Sequence, residues 1–440
     1  MVQRLQATVQ QLTERLQQDS RTSSRPPSSD PPQVTGARPR RAPSGRRPGG
    51  QPGHEGQARA LVPVEQVDVV IAVKPERCRR CQHPWHGEDP QPQRHHVTEV
   101  PPVRPMMTAY HVHRLVCARC GEATRAAVPP GVPTGGFGPR VQAIAARCTG
   151  ASHRSKRTTQ SVLADLCGLA LSLGTMANLE HATVQAVAEP VAEARASVHA
   201  QPAAHLDDTG WREGGPRAWL WTAVTASVTV FVVRRSRSGQ VARELWGERF
   251  WGARVTERWS ASPWYPSWRR QLGWAHLRRD IDAMIARGGR SREIGEGLRA
   301  QARHMCHWWH RVREGTLAHA RFASSMRPIR REVERWLDVG QTCGVPTTAG
   351  TCREILTWRP ALWTFVRHPA VEPTNHAAER AIRPGVLWRT GSFGTHSPDG
   401  SRVVEAMMTV VTTLKQPHRH VLEYLTAACA AALSGEPTLS

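Results

Sequence analysis

The stretch AAHLDDTGWREGGPRAWLWTAVTASVTVFVVRRSRSGQVARELWGERFWGARVTE, Ala203–Glu257, decides the fold. It opens on a short apolar strand, AAHLDD. After the turn EGGP, the runs RAWLWTAVTAS and VTVFVVRRSR follow a period of two and read as a hairpin pair. SGQVARELWG changes to helical spacing, and ARVTER returns to strand. Three strands, a helix and a fourth strand predict a mixed sheet with helices outside it. Acids end the first and the fourth strands: Asp207 in HLDDTGW and Glu257 in VTERWSA.

C-terminal to this stretch, residues 274–340 read as helices: WAHLRRDIDAMIARGG, REIGEGLRAQARHMCHWWHRVREG and MRPIRREVERWLDVG. Their mixed charges are those of solvated faces. EPTNHAAERAIRP follows and places a third acid, Glu379, on a helix. SRVVEAMMTVVTTLKQ and HVLEYLTAACAAAL complete the chain. The core therefore spans 201–395 with a helical insertion at about 274–340, and C-terminal helices fill 396–440. Phosphoryl transfer on nucleic acid uses divalent ions held by carboxylates, about 3.5–4 Å apart when two are used. Hard oxygen donors suit Mg²⁺ or Mn²⁺. Asp207, Glu257 and Glu379 are candidates for that work. Taken singly, each also reads as strand-end solvation or helix surface.

N-terminal to the core, residues 139–200 read as helical. SKRTTQSVLADLCGLALSLGTMANL has helix-turn-helix spacing. Thr158 and Thr159 open one helix, Gly168 makes the corner, and Ser172 with Thr175 opens the next. DNA binding, with Lys156 and Arg157 on phosphate, is one reading; an ordinary helical hairpin is the other. Residues 61–130 hold β-like runs, VDVVIAV and YHVHRLV, leading into CRRC (Cys78, Cys81) and CARCG (Cys117, Cys120). Two CxxC pairs offer four soft thiolates to a tetrahedral Zn²⁺. Residues 19–60 form a Pro-, Ser-, Gly- and Arg-rich linker. Its Arg38, Arg40, Arg41, Arg46 and Arg47 either lie along a phosphate backbone or keep the linker soluble. Residues 1–18 place Val2, Leu5, Val9, Leu12 and Leu16 on a short heptad seam, which serves dimerisation or packs on its own chain.

The chain carries 59 Lys plus Arg against 36 Asp plus Glu, a formal charge of +23. That excess favours a polyanionic partner, nucleic acid first. A signal-like apolar start and any long apolar run are both absent from the sequence, so a cytoplasmic, nucleoid-associated protein without a membrane span is expected. Pairing of four of the ten cysteines in CxxC motifs fits a metal site in a reducing compartment.

Several segments together resemble the transposases of the insertion sequence 66 family: SSRPPSSD, GGQPGHEG, the paired CxxC motifs, DDTGWR, RWSA, RQLGWAHLRRD, LWTFVRHPAVEPTN, AAERAIRP and SFGTHS. The resemblance implies a multidomain α/β protein. Its catalytic core is a ribonuclease H-like mixed sheet of DDE type with a helical insertion before the final acid. A zinc-binding domain and a helical DNA-binding region precede it. It further implies cleavage of element ends and strand transfer to target DNA with two Mg²⁺ ions (Mn²⁺ as substitute). Double-stranded DNA is the implied substrate, a homo-oligomer on DNA the implied assembly, and small companion proteins the implied partners. Asp207, Glu257 and Glu379 stand at the three acid positions. The family has Asp at position 257, Tyr at 262, Cys at 273, Asn at 376 and Lys at 390; this chain has Glu257, Ser262, Gly273, His376 and Thr390. Asp208 stands where a Glu is usual. Those departures raise the alternative of a DNA-binding relic impaired at Glu257, acting as a competitor of active copies.

Overall fold

The computed structural model describes residues 60–257 and 265–437. The heptad segment 1–18, the linker arginines Arg38, Arg40, Arg41, Arg46 and Arg47, and the RWSA motif lie outside the described residues. The chain divides into two compact units, 32–104 and the remainder.

In the first unit, residues 60–104 carry one 3-10 turn, Val64–Gln66, and an isolated bridge between Arg77 and Pro84 that flanks the CRRC turn. VDVVIAV does not form a strand here, and Val69, Val70, Ile71 and Val73 are exposed. Alternation and β-branching favour extended backbone, but a strand also needs a hydrogen-bonded neighbour.

The second unit opens with a two-stranded antiparallel hairpin, β1 (Arg114–Val116) and β2 (Ala123–Arg125), around the CARC turn. Three helices follow: α1 (Pro139–Gly150), α2 (Lys156–Cys167) and α3 (Leu173–Ala186). Ser155 caps α2 by accepting from the Thr158 N–H, and Ser172 caps α3 through Thr175. Gly168 ends α2 at φ 63°, a left-handed conformation that glycine adopts without a Cβ clash. Helix α4 (Ala188–Val198) leads into the sheet.

Five strands make that sheet: β3 (Ala203–Arg212), β4 (Arg217–Val224), β5 (Thr229–Arg234), β6 (Ala253–Thr256) and β7 (Arg270–Leu272), in the order β5-β4-β3-β6-β7. β5, β4 and β3 are antiparallel neighbours; β3, β6 and β7 run parallel. The predicted strand–helix–strand order is present, with α5 (Gly239–Trp246) before β6. Two details differ from expectation. β3 continues beyond the acids to Arg212, so Asp207 lies mid-strand, paired with Thr222. The three-residue β7 is an additional strand, too short for a period to reveal.

Strand alternation sorts the sheet into two faces. Leu206, Trp221, Val230 and Val232 pack with Val241, Leu245 and Trp246 of α5. Trp211, Leu220, Phe231 and Val233 pack on the other face with Ile382 of α11 (His376–Ser392) and Val404 and Met408 of α12 (Pro398–Lys415). Gly385 lets α11 approach that face, since a Cβ there would overlap Leu220.

Between β7 and α11 lie α6 (Trp274–Ala286), α7 (Gly289–Arg313), α8 (His319–Gln341), α9 (Pro346–Thr357) and the single turn α10 (Thr364–Arg367). Their apolar stripes meet in one core: Ile294, Leu298 and Met305 of α7 against Phe322, Met326, Ile329 and Val333 of α8. The last helix, α13 (Val421–Ser434), packs with α12 and α1.

Candidate metal centre

Glu257 follows the last residue of β6. The parallel register pairs His205 with Val255, so Asp207 and Glu257 occupy neighbouring strands at the same level. Buried Arg270 of β7 fixes the strand end: its Nη2 donates to the Glu257 carbonyl at 2.7 Å and its Nε to Thr256 Oγ1 at 3.0 Å. Glu379 stands in the first turn of α11. Asn375, fully buried just before that helix, donates from Nδ2 to the Leu206 carbonyl at 2.9 Å. The Trp274 N–H donates to the Pro373 carbonyl at 2.9 Å. These bonds hold the start of α11 against β3 and α6, which brings the third acid to the other two.

His276, within RQLGWAHLRRD, reads from sequence equally as a phosphate contact or as a structural residue; the structure places it at the centre of the acids. It lies in the first turn of α6 and is buried. Its Nε2 is 2.6 Å from Glu257 Oε1 and 3.2 Å from Glu379 Oε1. Ligand atoms of Glu257, His276 and Glu379 lie within 4.8 Å of one another. Burial alone pulls the imidazole down, but the bonds to the two carboxylates outweigh it and raise it to about 9. A value near 9 favours the imidazolium at neutral pH, with Nε2 donating to the carboxylates and Arg279 Nη1 3.4 Å from Nδ1 on the other side. The His276 bond holds the Glu379 carboxyl below its ordinary value.

Asp207 is pushed well above the usual carboxylate range by burial first and by the Glu257 charge next, although the Asp208 N–H donates to Oδ1 at 2.8 Å. Asp208 itself is raised by burial and partly offset by Arg237, whose Nε lies 2.8 Å away. Carboxylates crowded this way repel one another, and a cation relieves the repulsion. The donor set, three carboxylates, fits a hard divalent ion such as Mg²⁺ or Mn²⁺.

The four candidate thiols sit in two local turns of the same construction, one in each unit. Cys78 N–H donates to the His83 carbonyl at 2.8 Å and Gln82 N–H to the Cys78 carbonyl at 2.9 Å; Cys117 does the same with Glu122 and Gly121 at 2.8 and 2.9 Å. The residue after each second cysteine is left-handed, Gln82 at φ 60° and Gly121 at φ 73°. Backbone N–H groups of Arg80 and Cys81 point at the Cys78 sulfur, and those of Arg119 and Cys120 at Cys117; they lower both thiols. Thiolates held by N–H donors are the form zinc binds.

Residues 135–403 match the Transposase IS66 family. The chain belongs to that family. Residues 1–60 match a family of unknown function (DUF6444). An uncharacterized protein of Sinorhizobium fredii (strain NBRC 101917 / NGR234), y4qI, is 27% identical over 252 residues. The match covers 50% of this chain and 45% of that protein, so the chain spans about half the length of the curated relative it matches. No solved structure matches the chain. Of the three acids named from sequence, Glu257 and Glu379 meet in one cluster with His276, and Asp207 stands on the neighbouring strand. The available signal for His276 was WAHL, which opens a helical run and puts an imidazole on its first turn.

Proposed function

We propose that this chain binds the ends of an insertion sequence and catalyses metal-dependent cleavage and strand transfer there, on a ribonuclease H-like core of DDE type. One observation carries the reading. Glu257, at the end of one strand, and Glu379, on a helix, meet on His276, and Asp207 of the neighbouring strand lies close enough for both their charges to act on it. Asp207, Glu257 and Glu379 would hold Mg²⁺ or Mn²⁺, which when bound supplies Lewis acidity to the attacking and leaving oxygens. Asp207 lies deepest and faces both other acids. His276 orients Glu257 and Glu379 and would offset part of their charge while no metal is bound. Arg270 holds the main chain under Glu257, and Asn375 holds the helix that bears Glu379.

The relic alternative is not favoured. The longer side chain of Glu257 reaches His276 at 2.6 Å, inside the cluster. Gly273 leaves ordinary contact distance for a Cβ, 3.5 Å from Asn375, so the departure from Cys there opens no clash.

Structural Zn²⁺ on Cys78, Cys81, Cys117 and Cys120 is part of the proposal, supported by the matching local geometry of the two turns. Duplex DNA is the proposed substrate, with Arg157 and the linker arginines as phosphate contacts; Lys156, read as one from sequence, is paired with Glu180 at 2.7 Å. Assembly on DNA through the N-terminal seam, and companion proteins, complete it. The test is Mg²⁺- or Mn²⁺-dependent nicking of a duplex carrying the ends of the element that encodes the chain. The unaltered protein is expected to nick and Asp207→Ala to be silent. Equal nicking by both would remove the proposal.

A further inference from the structure

Helices α1, α2 and α3 share a small core of their own. Ala145, Leu163, Leu171, Met176 and Leu179 are buried together, with Phe137, Val141, Ile144 and Leu169 packed around them. A three-helix core with a short glycine corner between the second and third helices is the arrangement that presents its third helix to a DNA groove. The rest of the molecule leaves that helix half open. Met176, Leu179, Glu180, Thr183 and Ala186 form its buried stripe, and the Cys429 thiol of α13 lies 3.9 Å from Thr183 Oγ1. The opposite stripe is Gly174, Asn178, His181, Ala182 and Gln185, all exposed.

That exposed stripe has the chemistry of base reading rather than of a solvated face. It carries no acid. Asn and Gln each match the donor–acceptor pair of adenine in the major groove, and Gly174 and Ala182 keep the helix surface low enough for close approach. Cations flank it. Arg154 and Arg157 are exposed at the start of α2, whereas Lys156 pairs with Glu180 at 2.7 Å and fixes α2 to α3. The same corner touches the catalytic unit: the His153 ring stacks on Trp388 of α11, centroids 4.8 Å apart. This stack joins the segment just before α2 to the helix that carries Glu379.

We infer that α3 is the base-reading helix of this protein, with Asn178, His181 and Gln185 in the major groove of duplex DNA and Arg154 and Arg157 on the flanking phosphates. The inference rests on the end-binding reading above and assigns its specificity to one helix face.

The test selects duplexes from a randomised pool with the full chain, then measures binding of the enriched and scrambled duplexes by fluorescence anisotropy across a salt series. The unaltered chain is expected to enrich a consensus. Asn178→Ala and Gln185→Ala should each relax one or two positions of it, lowering discrimination there roughly 10- to 100-fold. Asn178→Gln keeps the amide and should change the preferred base. Arg157→Ala should weaken all sequences alike and reduce the salt slope by about 1. An unchanged consensus in the Asn178→Ala, Gln185→Ala double variant would overturn the assignment to α3 alone. Uniform weakening by that variant, with native melting, would overturn it too. Failure of the unaltered chain to enrich any sequence would overturn both the assignment and the end-binding reading.

Discussion

Replacing His276 with Gln removes the ring that bridges Glu257 and Glu379 while keeping a hydrogen-bond donor of similar reach. The donor atoms of the three residues lie within 4.8 Å of one another. Two carboxylate charges at that separation repel by roughly 3.5 kcal/mol at an effective dielectric constant of about 20. In the unaltered protein the imidazolium relieves that repulsion, at 2.6 and 3.2 Å from the two oxygens. The metal-free variant is therefore expected to lose roughly 3 kcal/mol, about 6 °C of melting temperature at about 2 °C per kcal/mol for a unit of this size. Saturating Mn²⁺ should return most of the loss, because a divalent ion supplies the same neutralisation. The assay is thermal unfolding at neutral pH, in EDTA and then in Mn²⁺, for both proteins. Equal melting of the two in EDTA would refute the reasoning, since the carboxylates would then need no internal cation. A variant that melts low in both conditions would show a packing defect instead of a charge defect.

Glu257→Asp withdraws the carboxylate by roughly an ångström and breaks its bond to His276; nicking is expected to fall, by up to about 10²-fold, and a gain in rate would reverse the reading of Glu257 as the working ligand. Asn375→Ala strips the Leu206 carbonyl of a buried donor and should destabilise the catalytic unit by about 2 kcal/mol in denaturant titration, with unchanged stability as the contrary result. Gly385→Ala should destabilise by about 1–3 kcal/mol, because its Cβ meets Leu220 under α11, and thermal unfolding reads this directly. Cys352, buried and pushed up to about 12, should resist alkylation at neutral pH. The exposed Cys81, Cys117 and Cys120 should react once zinc is stripped and be protected when it is restored; mass spectrometry of the alkylated peptides distinguishes the cases.

What the sequence determined by itself was local. The alternation in RAWLWTAV and VTVFVV, the glycines after Glu213, the serines before α2 and α3, and the CxxC turns each act within a few residues. Their backbone consequences are therefore readable before any fold is known. The family resemblance of the motifs carried the acid trio further than spacing could. Tertiary structure decided the rest, because contacts between distant residues leave no period in the chain. His276 and Glu379 are 103 positions apart and hydrogen-bonded. Asn375 reaches Leu206 across 169 positions. β7 is three residues long and gains strand character only by pairing with β6. VDVVIAV shows the converse: a strong strand pattern stays unpaired where no neighbour supplies the hydrogen bonds. The sequence names which side chains can do the chemistry, and the packing of α6 and α11 on the sheet decides which of them meet.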